Sequence, residues 1–322
     1  MLLEVRHVTQ YQYEAPIRES VFEVWMQPQK SASQRLVSFE LELDPSAHVF
    51  SYADYFGNAV YHFDIPQSHD QLTIIARSAV ETSSNPELPT HLDRGEWTRL
   101  TSDFVRGECF DFLQPHGYVQ ATPGLAEFVA KHGLESLRQN DPLSALIGLN
   151  KAIHNGLGYD AGVTEADSPI DEALQAGRGV CQDFAHIMIA ICRSWGIPAR
   201  YVSGYLFNDR VHGDRSDPDA THAWIEVFLP TVRWVGFDPT NNVLTGERHI
   251  TVAVGRDYAD VPPSRGIFKG ETASQLSVGV SVRRTRATAA EPEYIRNARP
   301  APPGARRRNS ELHDQSMQQQ QQ

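Results

Sequence analysis

Apolar and polar side chains alternate in short segments of residues 1–80; Leu3 and Val5, for example, alternate with Glu4 and Arg6. A period of two residues is typical of strands that bury one face. Strand-like segments of this kind occur near 11–13, 21–26, 36–43, 59–65 and 72–80. Prolines and the Gly57-Asn58 pair separate these segments, and the stretch 54–58 is typical of a hairpin turn. The pattern predicts a small antiparallel β-domain.

The apolar spacing changes to a helical period beyond residue 124. Asp141 followed by Pro142 is a typical helix start, with Asp as the N-cap and Pro at the first helical position. A second helix is predicted from about 182 to 195, ending before Gly196 and Pro198. Its apolar positions follow the spacing i, i+3, i+4, i+7, i+8, i+11: Phe184, Ile187, Met188, Ile191, Cys192 and Trp195.

Three further strands are predicted at 200–206, 222–229 and 234–238. In the middle strand Ala223, Ile225, Val227 and Leu229 form one face, and His222, Trp224, Glu226 and Phe228 form the other. The turn at Pro230 makes the last two strands antiparallel, so Asp238 returns to within about two strand positions of His222. Short strands are also expected at 249–254 and 276–282.

These elements predict an α+β fold in four parts. Residues 1–82 form the β-rich N-terminal domain, 83–123 a connection with short helices, and 124–285 the core. Residues 286–322 are rich in Arg, Pro, Ala and Gln, cannot bury enough apolar surface to fold, and are expected to be disordered.

Charge and cysteine content restrict the functional class. The net charge of −11 disfavours nucleic acid or an anionic membrane as a partner, because an acidic surface repels both. Three cysteines cannot build a disulfide framework, which indicates a reducing compartment. The N-terminus lacks the apolar run of a signal peptide, and no 18-residue apolar segment occurs. We expect a cytoplasmic protein.

Cys181 stands at the predicted mouth of the second helix, after Gly177 and Gly179. Unpaired N–H groups and a partial positive charge at a helix N-terminus favour a thiolate and can bind a developing oxyanion. The glycines permit a tight approach of the backbone. Cys181 is therefore a candidate nucleophile; by itself, the alternative is a buried structural cysteine.

His222 and Asp238 complete a possible triad with Cys181. His222 is the candidate base that takes the thiol proton and returns it to the leaving amine, and Asp238 is the candidate carboxylate that orients the imidazole. Taken singly, His222 could be a strand-end histidine without a role and Asp238 a turn residue before Pro239. The three contexts together favour catalysis.

The segments Gly-Val-Cys181-Gln-Asp-Phe-Ala, Thr-His222-Ala-Trp and Phe-Asp238-Pro-Thr, with 196–205, resemble the bacterial transglutaminase-like superfamily. The resemblance implies a papain-like Cys-His-Asp triad made by these three residues. It also implies a core whose nucleophile lies at a helix N-terminus packed on an antiparallel sheet. Residues 7–16 are similar to the β-rich N-terminal domain often joined to such cores, and 249–263 to the stretch that follows the triad.

Three functions remain open from the sequence. The first is hydrolysis of a peptide, amide or isopeptide bond through a thioester, and the second is transfer of the acyl group to an amine. The third is a non-catalytic peptide-binding module. The expected partner is a peptide or protein substrate, and the β-domain could restrict or present it. The sequence does not indicate an oligomeric state. No cofactor is expected. No metal site is expected either, since Asp257 and Asp260 with His249 are interpreted as a solvated loop.

Overall fold

A curled antiparallel sheet forms the N-terminal part of the chain. The computed structural model describes residues 1–165, 168–208, 221–285 and 298–300. The first five strands follow one another without an intervening helix: β1 Leu2–Val24, β2 Gln34–Asp44, β3 Val49–Ala53, β4 Ala59–Ile65 and β5 His69–Thr82. The predicted turn at 54–58 connects β3 and β4, where the side chain of Asp54 accepts N–H groups from Phe56 and Asn58.

The long strand β1 organises this sheet by pairing on both sides along its length. Its first part pairs with β5 and with β14 (Ser274–Arg284), and its last part, Ser20–Val24, pairs with β4 and β13 (Ser264–Lys269). The predicted alternation is confirmed: Leu3 and Val5 are buried and Glu4 and Arg6 are exposed. Strands β13 and β14, although late in the chain, therefore belong to the N-terminal sheet.

Four helices follow the first five strands. They are α1 Glu96–Leu100, α2 Asp103–Glu108, α3 Pro123–Lys131 and α4 Pro142–Gly156, with 3₁₀ turns at Phe110–Phe112 and Leu134–Gln139. Asp141 caps α4 as predicted, because its Oδ1 accepts the N–H groups of Leu143 and Ser144. After α4 come β6 Gly158–Tyr159, α5 Ile170–Ala176 and β7 Arg178–Gly179, with β6 and β7 paired in parallel.

Helix α6, Cys181–Ser194, packs on a five-stranded antiparallel sheet. The strands are β8 Ala199–Leu206, β9 Thr221–Leu229, β10 Arg233–Asp238, β11 Val243–Leu244 and β12 His249–Gly255, in the order β11-β10-β9-β8-β12. A 3₁₀ turn at Tyr258–Asp260 follows β12. The two faces predicted for β9 are confirmed, since Ala223 and Ile225 lie in the main apolar core and Trp224 and Phe228 in separate clusters.

Every residue of α6 before Ser194 is buried, whereas apolar spacing predicted one buried face. Polar side chains of the helix, among them Asp183, His186 and Arg193, hydrogen-bond groups outside it. Arg193 donates to the backbone carbonyls of Gln114, Ala199 and Arg256. Buried polar groups are tolerated when they are hydrogen-bonded, so the helix can sit in the middle of the fold.

The N-terminal sheet and the core share one apolar interior. Leu3, Val5 and Val80 from the sheet lie in the same buried cluster as the apolar side chains of α6. A hydrogen bond of 2.8 Å joins His7 Nδ1 on β1 to the hydroxyl of Tyr205 on β8. A second buried cluster, which includes Phe22 and Phe63, belongs to the N-terminal sheet alone.

The predicted α+β class is confirmed, with an N-terminal antiparallel sheet followed by a mixed core. The division into domains stays a prediction, although β13 and β14, which fall within 124–285, pair with β1. Most of the predicted disordered tail, 286–322, and most of the loop 207–221 lie outside the described residues. Residues 298–300 depart from the prediction: as strand β15 they pair in parallel with β3, which requires only backbone groups.

Among the residues that the structure describes, no helix combines the length and the apolar character needed to cross a membrane.

Candidate active site

The loop that delivers Cys181 to the start of α6 depends on two glycines. Gly177 ends α5 in the left-handed region with φ +65°, which a residue without a Cβ adopts at little cost. A Cβ on Gly179 would lie 2.5 Å from Oδ2 of Asp183. That Asp183 oxygen caps the helix by accepting the N–H of Val180 at 2.8 Å and the hydroxyl of Thr164 at 2.6 Å. The glycines thus allow the cap that fixes Cys181 as the first residue of α6.

Strand pairing brings His222 and Asp238 together. Phe237 on β10 pairs with Ile225 on β9, so Asp238 ends its strand close to the start of β9. The Nε2 atom of His222 lies 2.8 Å from Oδ2 of Asp238. Asp238 is fully buried and His222 is 5% exposed, so water screens this pair weakly.

The third predicted residue meets the other side of the ring. The side chain of Cys181 interacts with His222 through a hydrogen bond. Because Nε2 of the ring is engaged by Asp238, Nδ1 is the ring nitrogen left for the thiol. The structure therefore brings all three sequence-predicted residues into one contiguous chain of contacts: thiol, imidazole, carboxylate.

The charges around His222 favour the protonated form of its imidazole. Burial by itself lowers the pKa of His222, but the Asp238 carboxylate outweighs it, and with Cys181 raises the pKa to about 10. Burial also raises the pKa of Asp238, yet His222 and His249 hold that carboxyl well below its usual range. His222 is thus suited to accept and hold a proton next to a sulfur atom.

Two residues around Asp238 were not identified from the sequence. Asn241 donates to both carboxylate oxygens, its backbone N–H to Oδ1 at 3.1 Å and its amide to Oδ2 at 2.8 Å. Nε2 of His249, on β12, lies 3.2 Å from Oδ2. Asn241 follows the Asp238-Pro239 turn closely enough that an Asx-type contact could have been expected. His249 carries no local motif, and only the pairing of β12 with β8 brings it to the site.

The expectation of a solvated loop at Asp257 and Asp260 is wrong. Asp257 is fully buried, and its carboxylate accepts His116 Nδ1 at 2.8 Å and the N–H of Tyr118 at 3.1 Å. The physical reason is that backbone and ring donors replace the water that a buried carboxylate loses.

Ligand-type atoms of His116, Asp257 and Asp260 lie within 4.8 Å of one another, as a metal site requires. However, Asp260 is held bidentately by Arg256 at 2.9 Å, and the Asp257 oxygens have donors of their own. Hydrogen-bond donors of the protein already occupy these carboxylate oxygens, so the contacts do not assign a metal site to the cluster.

The other two cysteines have different surroundings. Cys109 packs with Val105 and Phe228, and Cys192 is fully buried on α6. Burial raises the pKa of both thiols, which makes them poor nucleophiles.

The fold and site agree with comparisons to known families. Residues 134–239, which contain the three contacting residues, match the transglutaminase-like superfamily, and residues 3–81 match the bacterial transglutaminase-like N-terminal region. The chain belongs to the transglutaminase-like superfamily, as the sequence resemblance implied.

Relatives of the chain match it over different lengths. An uncharacterized protein of Mycobacterium leprae is 37% identical over 284 residues, covering 88% of this chain and 98% of the relative. An uncharacterized protein of Mycobacterium tuberculosis is 35% identical over 302 residues, covering 86% and 91%. A protein-glutamine gamma-glutamyltransferase of Pseudomonas aeruginosa is 33% identical over 121 residues, covering 33% of this chain and 17% of that protein.

A solved structure shares the architecture. The crystal structure of a candidate cysteine protease from Cytophaga hutchinsonii aligns with a TM-score of 0.69 and 22% identity, covering 92% of this chain and 95% of that one. The similarity extends over the N-terminal sheet as well as the core.

Proposed function

We propose that the protein hydrolyses an amide bond of a peptide or protein, either a peptide or an isopeptide bond, with Cys181 as nucleophile. The observation that carries the proposal is the buried chain of contacts from the Cys181 thiol through His222 to Asp238. Membership of the transglutaminase-like superfamily and the fold shared with a candidate cysteine protease support it.

In the first half-reaction the Cys181 proton moves to His222, whose raised pKa makes it an effective acceptor. The thiolate attacks the amide carbonyl carbon, and the carbonyl π electrons move to oxygen. The backbone N–H of Cys181, the first of α6, is a suitable donor to that oxyanion. The oxyanion then collapses, the C–N bond breaks, and His222 gives its proton to the departing amine. The product is a thioester on Cys181.

The second half-reaction releases the acyl group. His222, now neutral, takes a proton from water, and the resulting hydroxide attacks the thioester carbonyl. The C–S bond breaks, the carboxylic acid leaves, and the sulfur recovers its proton from His222. Throughout the cycle Asp238 keeps the imidazole in one orientation and stabilises its cationic form.

Acyl transfer to an amine is the second candidate. The observation that favours it is the 121-residue similarity to a protein-glutamine gamma-glutamyltransferase. Both reactions share the thioester and differ in whether water or an amine attacks it. We place hydrolysis first because water is always available, whereas an amine acceptor needs a binding site of its own.

A peptide-library profile tests the proposal. Wild type is incubated with the library, with and without a labelled primary amine, beside Cys181→Ala and the matched cysteine control Cys109→Ala. We expect cleavage by wild type and by Cys109→Ala but not by Cys181→Ala. Label in an amide product would establish transfer. Equal cleavage by wild type and Cys181→Ala would exclude catalysis by this thiol, and failure of folded wild type to cleave or to react with electrophiles would favour a non-catalytic peptide-binding module.

A further inference from the structure

His249 makes a defined hydrogen bond to the carboxylate of Asp238. Its Nδ1 accepts the backbone N–H of Gly246 at 3.2 Å, so the ring proton of the neutral imidazole must be on Nε2. That Nε2–H is directed at Oδ2 of Asp238, 3.2 Å away. The side chain is only 7% exposed, and burial lowers its pKa, which keeps it in this neutral, donating form. His249 is therefore a fixed donor to the group that orients His222.

Packing around the imidazole ring leaves His249 few alternative orientations. The Trp224 ring meets it edge to face, with centroids 5.2 Å apart, and the backbone N–H of His249 donates to Gly246 at 2.9 Å. Trp224 in turn lies against Gly204 on β8, where a Cβ would come within 2.4 Å of the indole. Besides Asp238 and His222, the nearby charged group is Arg248 on the same turn. The orientation of His249 is thus set by the turn at Gly246 and by Trp224, which itself packs against β8.

Strand β12 is the edge of the core sheet, and the N-terminal sheet supplies its second set of hydrogen-bond partners. The side-chain amide of Gln34 brackets Thr251, accepting its N–H at 2.8 Å and donating to its carbonyl at 2.7 Å. Asn58 does the same for Val254, with both distances 2.8 Å. Both amides are buried, and they act as substitute peptide groups along the edge of the strand.

The turn before β12 is held from the same side. The side chain of Asn85 donates to the carbonyl of Thr245 at 2.8 Å, and the hydroxyl of Thr82 donates to the carbonyl of Glu247 at 2.6 Å. The backbone on both sides of His249 is therefore held by the N-terminal sheet and by the segment that follows β5, while the His249 ring contacts Asp238.

We propose that His249 is a positioning residue that holds Asp238 against His222, and that the N-terminal sheet holds His249 in place through β12. The proposal rests on the proposed role of Asp238 in catalysis. It gives the N-terminal sheet a task distinct from substrate selection: it keeps the carboxylate in the orientation in which it supports the imidazolium.

The test uses the full chain and the rate of Cys181 alkylation by iodoacetamide as a function of pH, with the modified residue identified by peptide mass spectrometry. Two matched variants separate the contacts of the ring. In His249→Gln the amide nitrogen reaches the position of Nε2 and keeps the donor to Asp238. In His249→Asn the side chain can still meet Gly246 but stops short of Asp238.

We expect His249→Asn to lose about tenfold in alkylation rate near pH 6, where the thiolate depends on a well-placed His222, and to recover at alkaline pH. His249→Gln should retain the wild-type profile. Identical profiles for His249→Asn and wild type would overturn the proposal. Equal losses in both variants, at unchanged unfolding temperature, would also overturn it, because they would show that the ring itself matters and the donor does not.

A second pair of variants tests the link to the N-terminal sheet. Gln34→Glu cannot donate to Thr251, whereas Gln12→Glu changes an exposed residue of β1 whose side-chain amide donates to the carbonyl of Asp70. We expect Gln34→Glu to slow alkylation near pH 6 by about threefold and Gln12→Glu to have no effect. No change in Gln34→Glu would refute the link. If wild type itself shows no enhanced alkylation near pH 6, the proposed function fails first, so the two failures are distinguishable.

Discussion

Nε2 of His222 lies 2.8 Å from Oδ2 of Asp238, and both side chains are almost fully removed from water. In such surroundings a carboxylate stabilises an imidazolium much more strongly than it would at the surface. The same imidazole contacts the Cys181 thiol. This geometry makes Cys181 the candidate nucleophile.

Replacing the nucleophile should abolish turnover while leaving the fold intact. We expect Cys181→Ala to reduce kcat by about 10³-fold or more, because the variant lacks the sulfur on which the proposed acyl-enzyme forms. Cys109→Ala should keep activity, since that thiol lies in a separate buried cluster. Steady-state kinetics on a cleaved peptide, with the unfolding temperature as a check on folding, measures the difference. Comparable losses in both variants would contradict the assignment.

Neutralising the carboxylate should slow the chemistry without weakening substrate binding. Asp238→Asn keeps the size of the side chain but removes the charge that raises the pKa of His222. We expect kcat to fall by about 10²- to 10⁴-fold with KM little changed. A KM effect alone would show that Asp238 acts on binding rather than on the imidazole.

Activity should disappear at high pH. The pKa of His222 is raised from 6.5 to about 10, so above about pH 10 the ring has no proton to give to the leaving amine. A kcat profile from pH 5 to 11 measures this limb. In Asp238→Asn the limb should move to lower pH, because the charge that raises the pKa is gone. An unchanged alkaline limb in that variant would count against the coupling.

Folding stability should depend on the ionisation of His222 and Asp238. The two groups lose their stabilising contributions at opposite ends of the pH range. A raised pKa means that the contribution of His222 is complete below about pH 6.5 and is lost as the pH rises through about 10. The lowered pKa of Asp238 means that its contribution is present above its ordinary value of 3.8 and is lost as the pH falls. Urea unfolding of wild type across this range should give maximal stability between these limits. Stability that rises steadily to pH 11 would be inconsistent with the pair.

Gly204 should not tolerate a side chain. A Cβ there would lie 2.2 Å from the carbonyl of Ile250 and 2.4 Å from Trp224, which packs against His249. We expect Gly204→Ala to lower the free energy of unfolding by about 1–3 kcal/mol and to reduce activity. Gly107→Ala, where nothing lies within 4 Å of the new Cβ, is the matched control and should be neutral or slightly stabilising. Equal stability of the two variants would show that β8 and β12 can separate.

Local patterns identified the N-terminal strands and the helix that carries Cys181, because hydrophobic periodicity and helix capping depend on residues close in sequence. The burial of the whole of α6 could not be predicted from the sequence. Asp183 and Arg193 hydrogen-bond residues outside the helix, Thr164 and Gln114. Spacing therefore showed the apolar face and could not show that the polar face is buried as well.

The three site residues could be predicted because each occurs in a distinctive local context, at a helix mouth, a strand start or a strand end. Their register could not, because side-chain periodicity fixes which face a residue is on and leaves its partner open. No residue near His249 in the sequence marks its contact with Asp238. That contact depends on the pairing of β12 with β8.

The most direct measurement of the central claim uses p-nitrophenyl acetate, an activated acyl donor, and intact-protein mass spectrometry after acid quenching. We predict a burst of one equivalent of nitrophenolate and a single acetyl group located on Cys181, with no burst in Cys181→Ala and a much slower one in Asp238→Asn. An acetyl group on another residue, or an equal burst in Cys181→Ala, would contradict the claim that this thiol is the nucleophile.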